Sequence, residues 1–303
     1  MKTIAERRVG SQISDDMHIG DLPPPVQGSI GAILIEAGRL SIENAEQITR
    51  SQRISNLRFG DAAVRLGILT PADVEFALSA QFDYPYLEEG LSAVSTKLVA
   101  AYRPFTTQVE SLRALRSRLI VRWLKQANKQ KVLAIVSSEP EEGRSFIAAN
   151  LAIVFSQLGE RTLLIDADLR NPRQELLFGV DNRYGLSGIL SGRSGMEAVQ
   201  KIPSLIDLSV LPAGPTPPNP QELLGRPQFA LMLNKFERDY DVVLLDTPPC
   251  DEYADAQTIS MRAGSALIVV RKNHSHVKAF RKMVDNLAQS NIDLVGAVLN
   301  EFS

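Results

Sequence analysis

Val132-Leu133-Ala134-Ile135-Val136-Ser137-Ser138-Glu139-Pro140-Glu141-Glu142-Gly143-Arg144-Ser145-Phe146 is the stretch on which the fold turns. Five apolar residues, enough for a buried strand, run into a polar turn, and Ile147 to Leu158 beyond it reads as a helix. A nucleotide-binding phosphate loop needs a Gly-rich turn that lets backbone N–H groups point at phosphate. It also needs a lysine for the terminal phosphates and then Ser or Thr for magnesium, all at a helix N-terminus. Gly143 and Ser145 stand where this requires, but Ser138 replaces the leading glycine and Arg144 the lysine. Arginine keeps the charge and can grip phosphate bidentately, yet its planar head does not reproduce a compact ammonium. Glu139, Glu141 and Glu142 add negative charge beside the loop. Taken alone, the segment also reads as an ordinary strand–turn–helix corner.

Two downstream segments decide between these readings. Leu163-Leu164-Ile165-Asp166-Ala167-Asp168-Leu169-Arg170 ends an apolar strand with two carboxylates and an arginine, and Val242-Val243-Leu244-Leu245-Asp246-Thr247-Pro248-Pro249 ends another with an aspartate. Strands are predicted at 132–136, 162–165, 208–211, 242–245, 266–270 and 294–299, alternating with helical stretches. That order predicts an α/β fold with a mostly parallel sheet covered on both faces, whose ligands bind at the carboxyl ends of the strands. Mg²⁺ takes oxygen ligands and keeps several waters, so one or two of these carboxylates with phosphate oxygens suffice to hold it. A phosphate loop and two acidic strand ends facing one crevice are an unlikely coincidence.

Upstream the character changes. Val109, Leu112, Leu115, Leu119 and Trp123 form one stripe of a helix predicted over 107–127. From Arg103 to Lys131 there are eight Lys/Arg and one Glu, a local net charge of +7. Residues 29–87 read as a small all-α unit built on a tandem repeat. Gly31, Gly38 and Gln52 recur as Gly60, Gly67 and Gln81, an offset of 29 residues each time. In each copy a short apolar segment ends at glycine and a polar cap, Ser41 or Thr70, opens a second helix. Such pairs are expected to bury together what neither buries alone. Residues 1–28 are expected to be a disordered arm and 88–106 a linker.

The 303 residues are 44% hydrophobic and 22% charged, which suits two soluble globular domains. Lys+Arg 33 against Asp+Glu 35 gives a net charge of −2, without the global basic excess that would point to nucleic acid. A single cysteine, Cys250, excludes an internal disulfide and fits a reducing compartment. No apolar run approaches the roughly 18–20 residues of a spanning helix, and no signal peptide is visible, so a cytoplasmic chain is expected.

From about residue 107 onward the sequence resembles the bacterial tyrosine kinases of capsule and exopolysaccharide clusters, relatives of the MinD/ParA-type P-loop ATPases. The likeness rests on Gly143-Arg144-Ser145, the Asp166-Ala167-Asp168-Leu169-Arg170 segment, Asp246-Thr247-Pro248-Pro249, Leu211 to Pro215 and Asn219 to Leu224. The resemblance implies that Ser138, Gly143, Arg144, Ser145, Phe146 and Arg170 hold ATP. It implies Ser145, Asp166 and Asp246 at Mg²⁺, and Asp166, Asp168 and Arg144 in phosphoryl transfer to tyrosine, with Asp168 taking the hydroxyl proton. Glu110-x-x-Arg113-x-x-Arg116 looks like the motif these kinases use for ring assembly, so a homo-oligomer is expected. Residues 29–87 resemble the N-terminal domain of type II secretion and pilus ATPases, some of which bind cyclic di-GMP through tandem R-L-G-x-x-L-x-x-x-G motifs. Arg58, Gly60 and Gly67 match in the second copy; the first has Gly31 and Gly38 without the arginine. Both halves together resemble chain-length-determinant kinases, which implies a separate membrane partner, a polysaccharide co-polymerase, that recruits the chain to the inner face of the plasma membrane. The family's C-terminal tyrosine cluster is absent, since the last tyrosine is Tyr253, placed to act with Asp255 as a switch. The alternatives are a catalytically weak scaffold sensing cyclic di-GMP, and an ATPase of the MinD or ParA type.

Overall fold

The computed structural model describes residues 28–81, 86–125 and 131–301. The arm expected over 1–28 lies outside them except for Gly28. The chain divides into two compact units, Met1–Asp83 and Tyr84–Ser303.

Among its described residues the first unit forms four helices, α1 (Ile30–Glu36), α2 (Ile42–Ser55), α3 (Phe59–Arg65) and α4 (Pro71–Gln81). Their starts are local chemistry. Ser29 Oγ accepts from the Ala32 N–H at 3.3 Å, and Ser41 Oγ from the Asn44 N–H at 3.2 Å. Thr70 and Asp73 cap each other, with the Asp73 N–H on Thr70 Oγ at 3.2 Å and the Thr70 N–H on Asp73 Oδ2 at 3.0 Å. α1 packs on α4 and α2 on α3, so each copy of the repeat is buried by the other. Leu34, Ile48, Ala62, Ala63 and Ala77 close this core without measurable exposure.

The second unit carries a seven-stranded sheet. Its strands are β1 (Val132–Ser137), β2 (Thr162–Asp166), β3 (Gln200–Lys201), β4 (Leu208–Leu211), β5 (Val242–Asp246), β6 (Ser265–Arg271) and β7 (Asp293–Asn300). The order is β3-β4-β2-β5-β1-β6-β7, parallel throughout except where β3 pairs antiparallel with β4. The six strands expected from apolar runs are present; the polar pair Gln200-Lys201 gave no such signal. The helices of this unit are α5 (Val99–Tyr102), α6 (Thr107–Leu119), α7 (Arg144–Ser156), α8 (Gln174–Phe178), α9 (Leu186–Leu190), α10 (Pro220–Gly225), α11 (Pro227–Asp239), α12 (Asp255–Ala263) and α13 (Val277–Gln289). They cover both faces of the sheet, over two separate apolar clusters.

Two expectations need correction. Residues 88–106 are not a linker: Val94, Leu98, Ala100, Ala101 and Tyr102 are buried in the larger core, and the Tyr102 hydroxyl donates to the Val94 carbonyl at 2.5 Å. Alanine and valine in a one-turn helix give no periodic pattern, so the sequence hides this segment's burial. The helix expected over 107–127 ends its α-helical run at Leu119 and continues as a π-helical turn, Ile120–Leu124. The wider turn keeps the fully buried Trp123 beneath Leu119 on the same stripe.

Candidate functional site

β1, β2 and β5 adjoin one another in the sheet, so the loops leaving their carboxyl ends share one side of it. β1 leads into the turn 138–143, and α7 starts at Arg144 with Gly143 as its N-cap at φ 89°, a backbone state that glycine adopts without Cβ strain. Glu141 occupies the same left-handed region at φ 60° with a full side chain. The turn is clamped from distant segments. The Cys250 and Asp251 amides donate to the Ser137 and Ser138 carbonyls, both at 3.0 Å. Arg271 Nη1 reaches the Glu141 carbonyl at 3.1 Å, and Asn300 Nδ2 the Glu142 carbonyl at 3.0 Å. The His276 amide binds the Glu139 carboxylate at 2.9 Å, and its ring Nδ1 lies 2.8 Å from the same group. These bonds hold the Glu139 carboxyl below its ordinary value. Glu142 is fully buried, and its carboxylate accepts from Ser138 Oγ at 3.2 Å, from the Glu139 N–H at 2.8 Å and from Ser275 Oγ.

Beside the turn lies a cleft of about 320 Å³ bordered by Pro140 to Phe146, Asp168, Asn171, Arg173, Pro249 and Glu252. Of the three expected carboxylates, Asp168 borders it; Asp166 and Asp246 are fully buried and do not. Asp166 is a turn anchor. Its Oδ2 accepts from the Arg173 and Gln174 amides, each at 2.9 Å, and its Oδ1 from the Asp168 amide at 3.2 Å. Burial, then the neighbouring Asp246 charge, push its carboxyl well above the ordinary range. Asp246 Oδ2 accepts from Gln174 Nε2 at 2.7 Å. Burial pushes its pKa up to about 6, against the opposing pull of Arg144 and hydrogen bonds from Gln174 and Ser145.

Arg144 is itself buried, with 8% of its surface exposed. Its Nη1 donates to Ser137 Oγ at 2.5 Å, its Nη2 lies 3.7 Å from Asp168 Oδ2, and its Nε 3.7 Å from Asp246 Oδ1. Nε and Asp246 Oδ1 are both buried without a hydrogen-bond partner. The donor set suits a hard divalent cation such as Mg²⁺: Asp246 offers an unpartnered carboxylate oxygen, and the Ser145 side chain hydrogen-bonds to that same carboxylate.

The matching family model is that of the cellulose biosynthesis protein BcsQ, over residues 131–293. The tyrosine-protein kinase YwqD of Bacillus subtilis is 34% identical over 209 residues, 69% of this chain and 87% of the relative. The chimerical protein CapA2B2 superposes with a TM-score of 0.64 at 32% identity, covering 75% of this chain and 98% of that one. The chain belongs to the bacterial tyrosine-kinase family. The longer tyrosine-protein kinase wzc of Salmonella typhimurium is 34% identical over 205 residues, 68% of this chain, and the match spans 28% of its length.

Against that family, several expected residues sit elsewhere. Arg170 does not border the cleft: its Nε and Nη2 bind Asp255 at 2.7 and 3.2 Å, and its guanidinium stacks on the Tyr253 ring at 3.8 Å. Arg113 bonds Glu110 and the Tyr86 hydroxyl, and Arg116 Nη1 bonds the Val154 carbonyl at 2.6 Å, so both arginines of the assembly motif have partners within the chain. Gly38 and Gly67 close α1 and α3 with φ near 69° and 68°, while a Cβ at Gly31 or Gly60 would meet the Phe59 ring or Val74. These four glycines therefore have packing and turn roles without any ligand. Arg58 is exposed at the N-cap of α3. Gln174, Ser275, His276 and Asn300 were missed by sequence reading, because their contacts with the site span 29 to 158 residues. Among the described residues no helix is long and apolar enough to cross a membrane.

Proposed function

We propose that the chain is an ATP-binding tyrosine-kinase-like regulator of exopolysaccharide chain length or export. The observation that carries this reading is the phosphate turn at the head of α7, opening on a cleft that Asp168 alone of the three carboxylates borders. The amides of the turn and the start of α7 bind the phosphates, and Arg173, on the cleft wall, adds positive charge. Asp168 Oδ2 accepts the proton of an incoming tyrosine hydroxyl, while Asp166 holds the turn that positions Asp168. Ser145 and Asp246 would hold Mg²⁺, which supplies charge stabilisation for the transferring phosphoryl group. A membrane co-polymerase recruits the chain to the inner face of the plasma membrane, where copies assemble through the Glu110, Arg113 and Arg116 face, and nucleic acid is not a partner.

The test is binding of ATP and transfer of labelled phosphate to a tyrosine peptide, by wild type and by Asp168→Asn. Binding by both with transfer lost in the variant is expected; absence of binding by wild type sinks the reading. A second reading, sensing of cyclic di-GMP through the 29–87 repeat unit, rests on the exposed Arg58. Calorimetry on wild type and Arg58→Ala decides it, and no heat from wild type ends it.

A further inference from the structure

We infer that Gln174 is a positioning residue for the cation: its side-chain amide holds Asp246 and Ser145, the two groups that would take Mg²⁺, in register with each other. The inference rests on the nucleotide-binding reading above and names the residue, outside the expected set, that makes its metal site. Asp246 ends β5 and Ser145 stands in the first turn of α7, so the two are set on separate elements. Gln174 joins them. The Nε2 amino group has two hydrogens and two takers, Asp246 Oδ2 at 2.7 Å and the Ser145 carbonyl at 3.1 Å. Its backbone N–H is on Asp166 Oδ2 at 2.9 Å, which anchors the residue to the end of β2. One fully buried side chain thereby ties two strand ends to the head of the phosphate helix.

The orientation of the amide is decided by these partners. Turned over, Oε1 would face a carboxylate oxygen and a carbonyl oxygen, acceptor against acceptor. In the orientation that satisfies both, Oε1 is buried with no hydrogen-bond partner, and an unmet buried acceptor costs free energy. Gln174 thus leaves its own oxygen unmet in order to present two donors. With Asp246 Oδ2 taken, the plane of that carboxylate is set, and the unpartnered Oδ1 is the oxygen left for a cation. The Ser145 side chain bonds the same carboxylate, so holding the Ser145 backbone also places its hydroxyl. Gln174 itself does not border the cleft, which leaves phosphate binding to other residues. Outer contacts of this kind commonly change metal affinity by about 10–100-fold.

The experiment compares the full-length wild type with Gln174→Met, which keeps the length of the side chain without its donors, and Gln174→His, which restores a ring N–H. Mn²⁺ is titrated into each chain saturated with ADP, and the paramagnetic signal of the free ion gives the metal affinity. ADP affinity is measured separately in EDTA. Gln174→Met is expected to lose about tenfold or more in Mn²⁺ affinity while its ADP affinity in EDTA stays within about threefold of wild type, and Gln174→His is expected to recover most of the metal affinity. Metal affinity within about threefold of wild type in the methionine variant overturns the inference. So does a loss of ADP affinity in EDTA as large as the loss of metal affinity, which would make the residue a structural support of the turn, or a histidine variant as weak for Mn²⁺ as the methionine one. If Gln174→Met fails to fold, the histidine variant decides alone: near-wild-type Mn²⁺ affinity supports the inference and a tenfold loss overturns it. Absence of ADP binding by wild type in both Mn²⁺ and EDTA overturns the nucleotide-binding reading itself, a result distinct from any of these.

Discussion

Two arginine–carboxylate stations flank the strand ends of the larger unit, and they differ in kind. At the first, Arg170 meets Asp255 bidentately at 2.7 and 3.2 Å and stacks on Tyr253. At the second, Arg144 faces two aspartates at 3.7 Å and leaves its Nε and Asp246 Oδ1 without partners. The first is a finished ion pair that ties the β2 loop to the head of α12, with each charge matched by the other. The second holds more negative than positive charge in a buried space, an arrangement that costs stability and persists where a ligand or a reaction makes use of it. Good ion-pair geometry therefore marks the structural station here, and poor geometry the one proposed to work on nucleotide.

Neutralising one carboxylate should have opposite effects at the two stations. Asp255→Asn strips Arg170 of its partner and is expected to lower stability by about 3 kcal/mol, read as a fall in denaturation midpoint. Asp246→Asn should do the reverse near pH 7. Because the Asp246 carboxyl is pushed up to about 6, the folded chain binds its proton more tightly than the unfolded chain. Its contribution to stability is complete below about pH 4 and lost as pH rises through 6. The asparagine variant is accordingly expected to be more stable than wild type at pH 7 by about 2 kcal/mol, with the gain vanishing towards pH 4. Chemical denaturation across that range checks it, and a variant less stable at pH 7 would break the comparison.

Two smaller effects sharpen it. Glu141 holds a left-handed backbone at φ 60° within the phosphate turn, so Glu141→Gly should stabilise the chain by about 1 kcal/mol. Thermal melts check this. The Cys250 thiol is pushed up to about 12 by burial, which outweighs the nearby Arg144 charge. It should resist alkylation at pH 8 in the folded chain and react promptly once the chain is denatured.

The sequence showed the strands through their continuous apolar runs, and the phosphate turn through Gly143 and Ser145 at the end of one of them. It could not show direction. Arg170 follows two aspartates and looks like a cleft residue, yet the twist of its turn sends it to Asp255, 85 residues away. Asp166 likewise reads as a metal ligand, but both its oxygens are occupied by amides of its own turn. The 88–106 segment looked like a linker because alanine, valine and serine without a period carry no amphipathic signal. Its burial is decided by α7 and the residue that caps it: Asn150 Oδ1 accepts from the Ala100 N–H at 2.9 Å, and Gln157 Nε2, just past the helix end, donates to the Ala100 carbonyl at 2.9 Å.

That last pair of bonds makes Ala100 a built-in gauge of the phosphate turn. Its amide is protected by a side chain of α7, the same rigid rod whose first turn carries Arg144 and Ser145. Any nucleotide that draws α7 along its axis must stretch or shorten this bond. Hydrogen exchange at that single amide would then report, from the far side of the helix, what happens in the cleft.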